Sequence, residues 1–449
     1  MSRGSETTGD VYGGIGPCAR LRLTAPVTDV GPHGVGPASG RTFARLLATP
    51  EQTAALRGWG ESGYQQAELA PRWAHETMGH PPHGGGSGHR TPRDGHVSAP
   101  FALARAPPVP PARRDPADRS HDSQRTSGGD FVRTIRLANL NAYKLGRDTI
   151  ETASWKARVT AIGEIAPDIL ALQEVVVDET RPSEEWATEA STVIQQLAAE
   201  TGLSATTVRA DGTPGPTAMA NNLARGWYTA LLWNPAIAKP VAGGFRPYGS
   251  PDFWHGFTTV RFDIGSVEPV TVASYHGDPF RGNWRRDEAF RIKSVFRTTG
   301  GAKPGLALGD FNALSAAKAN GPDSEPFYDP EPYLDHDHDD LEYQLLEGTI
   351  GKEQLADRRQ SEVLLRRGFM VDAAAHLKVP WQATVGHWED GRGDPDPWGA
   401  RRIDLVYATR PVVPALVSYR THTSPAAREA SDHLPVICEI DPSRISRER

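Results

Sequence analysis

The stretch Ser431-Asp432-His433-Leu434-Pro435-Val436, near the carboxyl end, closes a series of acidic, amide and histidine residues that each stand at the edge of an apolar, strand-like run. Earlier in the series, Thr134-Ile135-Arg136-Leu137-Ala138-Asn139-Leu140-Asn141 alternates and ends on two amides, and Pro167-Asp168-Ile169-Leu170-Ala171-Leu172-Gln173-Glu174 stops at a carboxylate. Pro269-Val270-Thr271-Val272-Ala273-Ser274-Tyr275-His276 stops at an imidazole, and Gly305-Leu306-Ala307-Leu308-Gly309-Asp310-Phe311-Asn312 at a carboxylate and an amide. Arg402-Ile403-Asp404-Leu405-Val406-Tyr407 sets an acid within a strand, shortly before Asp432-His433. Short aliphatic or β-branched runs between Gly and Pro residues read as strands of a sheet buried on one or both faces. Polar groups placed repeatedly at strand ends point to one shared pocket.

The strongly patterned sequence lies after about Phe131, so the 449-residue chain divides into an extension, residues 1–130, and one large domain, residues 131–449. The extension has clusters such as Gly79-His80-Pro81-Pro82-His83-Gly84-Gly85-Gly86 and no lysine. Such composition buries too little apolar surface to offset chain entropy, and most of it is expected to be disordered, with at most a short helix over residues 42–59. The two cysteines, Cys18 and Cys438, exclude a disulfide framework and argue against a thiol zinc site. Met1-Ser2-Arg3-Gly4-Ser5 lacks an apolar leader and no run is long enough to span a bilayer, so a cytoplasmic protein without a membrane span is expected. The extension holds 14 basic and 12 acidic side chains, and the domain 35 and 43. That acidic balance does not suit a general polyanion binder, although a local basic rim built from Arg281, Arg285, Arg286, Arg401 and Arg402 is compatible with it.

Helical spacing appears at Trp155, Val159, Ile162 and Ile165, at Trp186, Ala190, Val193, Ile194 and Leu197, and over residues 284–297 and 358–367. Further strands are expected at Tyr228–Trp233, Phe257–Ile264 and Leu434–Ile440. Strand-rich stretches mixed with helices indicate two packed sheets covered by helices, rather than a doubly wound sheet. Two long connections, residues 210–225 and 320–340, are read as functional loops. The second ends in Asp335-His336-Asp337-His338-Asp339-Asp340, which reads as a solvated run before it reads as a cation site.

The series supplies the groups that phosphate-ester cleavage requires. A hard divalent cation held by carboxylate and amide oxygens neutralises the phosphoryl oxygens, and Glu174 and Asn141 fit that role. Asp310 and Asn312 can aim a carboxylate at water and an amide at water or phosphate. His433 can donate to a phosphate oxygen, with Asp404 as its holder. Each has a bland counterpart: a strand-end charge for Glu174, a packed or surface imidazole for His276, and for Asp404 a salt bridge to Arg401 or Arg402, since an acid in an apolar strand is costly unpaired. Trp254, His255 and Trp388 read as packing or rim residues.

These segments, from about Arg133 to Ile440, resemble the endonuclease/exonuclease/phosphatase superfamily with the DNase I-like fold, through six separated motifs in the family's order. The resemblance implies an α+β, four-layer α/β/β/α sandwich with its active site at one end of the two sheets. It implies a Mg2+-dependent phosphoesterase, Mn2+ substituting, with a metal ligand at Glu174 and Asn141 and Asp432 near the metal. It further implies catalytic roles for His276 and His433, positioning of water or phosphate by Asp310 and Asn312, and pairing of Asp404 with His433. His276 stands where the family's abasic-site enzymes carry Tyr, which disfavours that subtype. The acid that orients the corresponding imidazole in DNase I has no counterpart in Arg225-Gly226-Trp227-Tyr228. The expected substrate is a phosphoester, either nucleic acid or a small phosphodiester or phosphomonoester, cut without an obligate protein partner. A nuclease or phosphodiesterase stands ahead of a small-molecule or lipid-headgroup phosphatase or sphingomyelinase-like enzyme, and well ahead of a catalytically silent binding module.

Overall fold

In the computed structural model, residues 133–334, 343–349, 353–388 and 399–447 are described. They all belong to the compact unit His80–Arg449. The 130/131 boundary, the helix expected over residues 42–59, Cys18 and the run Asp335–Asp340 lie outside the described residues.

In chain order, β1 (Ile135–Leu145) is followed by α1 (Ala153–Ile165), β2 (Ile169–Val176), α2 (Ser183–Thr201), β3 (Thr206–Val208), β4 (Pro214–Thr217), β5 (Met219–Ala220) and β6 (Trp227–Trp233). Next come β7 (Lys239–Pro240), β8 (Arg246–Tyr248), β9 (Gly256–Asp263), β10 (Val270–His276), α3 (Gly282–Phe296), β11 (Arg297–Thr298), β12 (Gly301–Ala302) and β13 (Gly305–Asp310). The chain then forms α4 (Arg359–Leu365), β14 (Met370–Asp372), α5 (Ala373–Leu377), β15 (Asp404–Thr409), β16 (Leu416–Thr421), α6 (Pro425–Ala430) and β17 (Val436–Ile440). One sheet has the order β16-β17-β1-β2-β6-β5, the other β14-β15-β13-β10-β9-β7, with β8 also on β9. The connection at residues 210–225, expected to be irregular, contains β4 and β5. Their short pairings with β3 and β6 override a Gly/Pro-rich composition.

The side-chain period of two sorts each strand into layers. Ile135 and Leu137, Ile169 and Ala171, Val270 and Val272, Leu306 and Leu308, Val406, and Val436 and Cys438 form the core between the sheets. The opposite parity on β1 and β2, including Leu140, Leu170 and Leu172, packs under Ile162 and Ile165 of α1 and Val193, Ile194 and Leu197 of α2. Ala273, Tyr275, Ala307 and Leu405 pack under Ala289, Ile292 and Phe296 of α3 and Val363 and Leu364 of α4. The four layers are therefore helix, sheet, sheet and helix. Cys438 is a buried free thiol within the middle layer.

That period carries straight into the functional end. Continuing the inward parity past the apolar residues gives Asn139 and Asn141 on β1, Gln173 on β2, Ser274 and His276 on β10, and Asp310 on β13, all buried. The inter-sheet layer is thus apolar along most of its length and polar at one end.

Candidate active site

Strand register places three of these groups in a row. His276 lies opposite Asp310 in the parallel β10–β13 pair, and Asp310 opposite Asp404 in the antiparallel β13–β15 pair. The two sheets are joined at this end by side chains. Asn139 Nδ2 donates to Asp404 Oδ1 at 3.1 Å, and Gln173 Nε2 donates to Asn139 Oδ1 at 2.8 Å and to Ser274 Oγ at 2.9 Å. Buried polar groups of this kind stay affordable only when hydrogen-bonded.

Asp404 is the first residue of β15 and pairs with His433, whose Nδ1 lies 2.8 Å from Asp404 Oδ2. A salt bridge from Asp404 to Arg402 does not form, because buried Arg402 is taken by Asp329 at 2.7 Å and Asp372 at 2.6 Å. Arg401 donates to Gln344 at 3.0 Å. Thr384 ties the pair's two segments together: its hydroxyl accepts the Asp404 backbone N–H at 3.2 Å and its carbonyl the Leu434 N–H at 2.7 Å. His433 Nε2 faces Asp310 Oδ2 at 3.8 Å, and His276 Nε2 approaches the same oxygen at 3.6 Å. Asp310 therefore stands between two imidazoles.

The environment drives these imidazoles apart. Burial pulls His433 down, but the carboxylates of Asp404, Asp310 and Asp432 outweigh it and hold the ring well above its usual range. His276 has no carboxylate at hydrogen-bond distance, and burial pushes it down to about 4, against the pull of Asp310. Near neutrality one ring is cationic and the other neutral.

Glu174 breaks the parity rule, since by period it belongs with Leu170 and Leu172 on the outer face. A register shift between Leu172 and Val175 and a left-handed backbone at Glu174 (φ 57°) turn it into the site. Such backbone at a non-glycine residue costs roughly 1–3 kcal/mol and is concentrated at functional positions. Asn141 Nδ2 then links Glu174 Oε1 at 3.0 Å to Asp310 Oδ2 at 3.1 Å, and the Lys144 N–H caps Glu174 Oε2 at 3.1 Å. Asn141 Oδ1 accepts the Tyr143 N–H at 3.1 Å, so the amide turns its nitrogen, not its oxygen, towards the carboxylates. Asn312, also left-handed (φ 47°), sends Nδ2 to the Gly277 carbonyl at 3.1 Å, which leaves Oδ1 unpartnered among the described residues.

The donor chemistry fits a hard cation. Desolvation and then the Asp432 charge push Glu174 up to about 7, against the pull of His433 and the Asn141 hydrogen bond and with Asp310 adding to the rise, so three carboxylates crowd one region. Among the described residues no three His, Cys, Asp or Glu side chains form a ready cage.

Of the arginines expected at a phosphate rim, Arg285, Arg401 and Arg402 are buried. Arg281 is paired with Asp278 at 2.6 Å, and Arg286 with Asp287 at 3.4 Å. Arg285, Arg401 and Arg402 thus support the fold around the site, while Arg281 and Arg286 stay about two-fifths exposed. Sequence reading missed Arg225, which lies over the Trp254 ring at 4.7 Å in a loop ordered by Asn221 and Asn222 and makes no ion pair among the described residues. It also underrated His255, which is stacked on His276 with centroids 4.0 Å apart and planes 12° apart. The cue exists only in the pairing: His276 lies opposite Gly256, which brings the preceding residue alongside.

A helix-flanked double sheet with carboxylates, amides and two imidazoles at one end defines a DNase I-like protein. Residues 138–433 match the Endonuclease/Exonuclease/phosphatase family, and the chain belongs to that family. No curated protein matches the chain. Solved structures similar to it include a family protein of Bacteroides vulgatus, at 16% identity and TM-score 0.42 over 69% of this chain and 98% of that one. An AP endonuclease from Archaeoglobus fulgidus matches at 17% identity and TM-score 0.40, covering 68% and 99%. A mannosyl-6-phosphatase of Bacteroides thetaiotaomicron matches at 14% and 0.40, covering 68% and 99%. Among the described residues, no helix is long and apolar enough to cross a membrane.

Proposed function

We propose that this protein is a Mg2+-dependent phosphoester hydrolase of the phosphodiesterase or nuclease kind, and that residues 131–449 are its catalytic domain. The observation that carries the reading is Asp310 standing between two imidazoles, with Glu174 joined to it through Asn141. Environments that push like groups to opposite protonation states are a means of dividing acid and base work.

Asp310 accepts a proton from the attacking water, and Asn312 Oδ1 holds that water or its second hydrogen. His433, kept charged and fixed through Nδ1 by Asp404, donates from Nε2 to a non-bridging phosphate oxygen. His276 is neutral, with one N–H and one lone pair, the equipment for passing a proton towards the departing oxygen. Glu174 and Asp432 would hold the cation with Asn141 beside them. When bound, the cation neutralises charge on the phosphoryl oxygens.

A small phosphoester is the second reading, favoured by the acidic domain and by the engagement of most arginines near the mouth in ion pairs or burial. The test is a panel of double-stranded DNA, single-stranded DNA, RNA, sphingomyelin and inositol phosphates, each with Mg2+ and with EDTA. Saturable cleavage of one class, abolished by EDTA, restored by Mg2+ or Mn2+ and weakened in its metal response by Glu174→Gln, is expected. Full turnover in the chelator would overturn the metal assignment, and no cleavage of any class would overturn the enzymatic one.

A further inference from the structure

We propose that His255 is the positioning residue of His276, acting through a ring stack, and that Glu288 fixes the two strand ends that carry the stacked pair. The inference rests on the catalytic reading of His276 given above.

A catalytic imidazole needs its ring plane set, and hydrogen bonds are the usual means. His433 has such a bond to Asp404, whereas neither ring nitrogen of His276 has a hydrogen bond among the described residues, Asp310 Oδ2 being 3.6 Å away. What does hold the His276 ring is the near-parallel face of His255 at 4.0 Å. His255 is itself 6% exposed, and both its ring nitrogens are buried without a partner among the described residues. A buried polar ring with no bond to make contributes nothing as a hydrogen-bonding group and carries a desolvation cost. Its planar face is what it offers. Burial first of all keeps His255 well below its usual range, and burial likewise keeps His276 neutral, so no like charges face each other across the stack.

The backbone on either side is clamped by one carboxyl group. Glu288, on α3 and fully buried, accepts the Trp254 N–H through Oε1 at 2.7 Å and the Asp278 N–H through Oε2 at 3.2 Å. Trp254 immediately precedes His255, and Asp278 lies two residues beyond His276. Glu288 also accepts the Tyr275 hydroxyl, from the residue preceding His276, and Gln360 Nε2 donates to that hydroxyl at 2.7 Å. The strand ends cannot drift without breaking these bonds. Close approach completes the fixation: a Cβ on Gly256 would lie 2.5 Å from the Ala220 carbonyl oxygen, so the residue after His255 has no room for a side chain.

The full-length chain carrying His255→Leu, His255→Phe, Glu288→Gln or His276→Asn tests this, each variant first checked for a cooperative melt. Leu and Phe both fill the dry site, and only Phe restores a planar face. Turnover of bis(p-nitrophenyl) phosphate with Mg2+ and the 1H–13C imidazole resonance of His276, assigned by its loss in His276→Asn, are measured. His255→Leu should lower kcat about tenfold with KM within about twofold, because misplacement of a catalytic group weakens the chemical step and not binding. It should also move the His276 resonance downfield as the ring current of the stack is lost. His255→Phe should recover most of the turnover and the upfield shift, and Glu288→Gln should fall between. A His255→Leu protein with unchanged turnover and an unchanged resonance would overturn the proposal. A His255→Phe protein as impaired as His255→Leu would overturn it too, since the ring nitrogens and not the stack would then matter. If His276→Asn kept full turnover, the catalytic reading of His276 would fall, while the resonance in His255→Leu would still decide whether His255 positions that ring.

Discussion

His433 and His276 flank the same carboxylate oxygen of Asp310, yet their surroundings push them towards opposite protonation states. His433→Ala should lower turnover by about 10² or more, the scale of a positioned electrostatic or acid group. Asp404→Asn should show part of that loss, because an amide cannot hold the imidazolium as a carboxylate does. Steady-state rates on the substrate found above would check both, and near-normal turnover in His433→Ala would return that residue to a structural role. His276 makes a separate claim on stability. Its ordinary value of 6.5 falls to about 4 in the fold, mainly through burial. Between these values the unfolded chain binds a proton that the folded chain refuses, so stability is lost as pH falls through that window. His276→Phe should therefore lose less melting temperature than the parent between about pH 7 and about pH 5. Equal losses would show that the ring is not held neutral.

At the scale of elements, the site depends on how closely β10 and β13 approach. Gly309 lies opposite Tyr275, and a Cβ there would sit 2.0 Å from the Tyr275 carbonyl oxygen, a backbone atom that cannot turn aside. Gly309→Ala should force apart the strands that carry His276 and Asp310, costing about 1–3 kcal/mol of stability as overpacking does. Turnover should fall with it. Denaturant melts and rates measured on one preparation would check this, and a stable, fully active variant would show that the strands can separate without disturbing the row His276–Asp310–Asp404. The irregular ends of β1 and β2 belong to the same scale. The register shifts between Asn141 and Leu145 and between Leu172 and Val175 end the regular pairing there, and the second aims Glu174 where regular pleating would not.

At the scale of the whole molecule, β1 begins at Ile135 and is paired on both sides, with β17 from Ile135 and with β2 from Leu137. β1 is the first strand among the described residues, and with both its edges paired it requires no further neighbour. We expect a chain beginning near residue 129 to keep a cooperative melt and the parent's activity, and limited proteolysis of the full chain to stop near residues 127–130. Loss of either property in the truncated protein would show that the extension packs on the domain, against the reading of its composition.

What the sequence determined by itself was the alternation of its strands and the chemistry at their ends. Period-two patterning is local, so the inward faces of β1, β10 and β13, with Asn141, His276 and Asp310 on them, could be read from it. The family's motif order then implied the two-sheet sandwich and the Asp404–His433 pairing. Only the tertiary structure decided the rest, because each remaining feature depends on a partner distant in the chain. Glu174 reaches the site through a bulge that pattern alone would deny, and Arg402 is unavailable to Asp404 because Asp329 and Asp372 claim it. Most of the expected rim arginines are engaged in support while Arg225 carries no ion pair among the described residues. His255 meets His276 only because β9 and β10 pair in one register and Glu288, on a helix that follows both, holds their ends together. Register and helix docking are set by the packing of the whole domain, which no local stretch of sequence encodes.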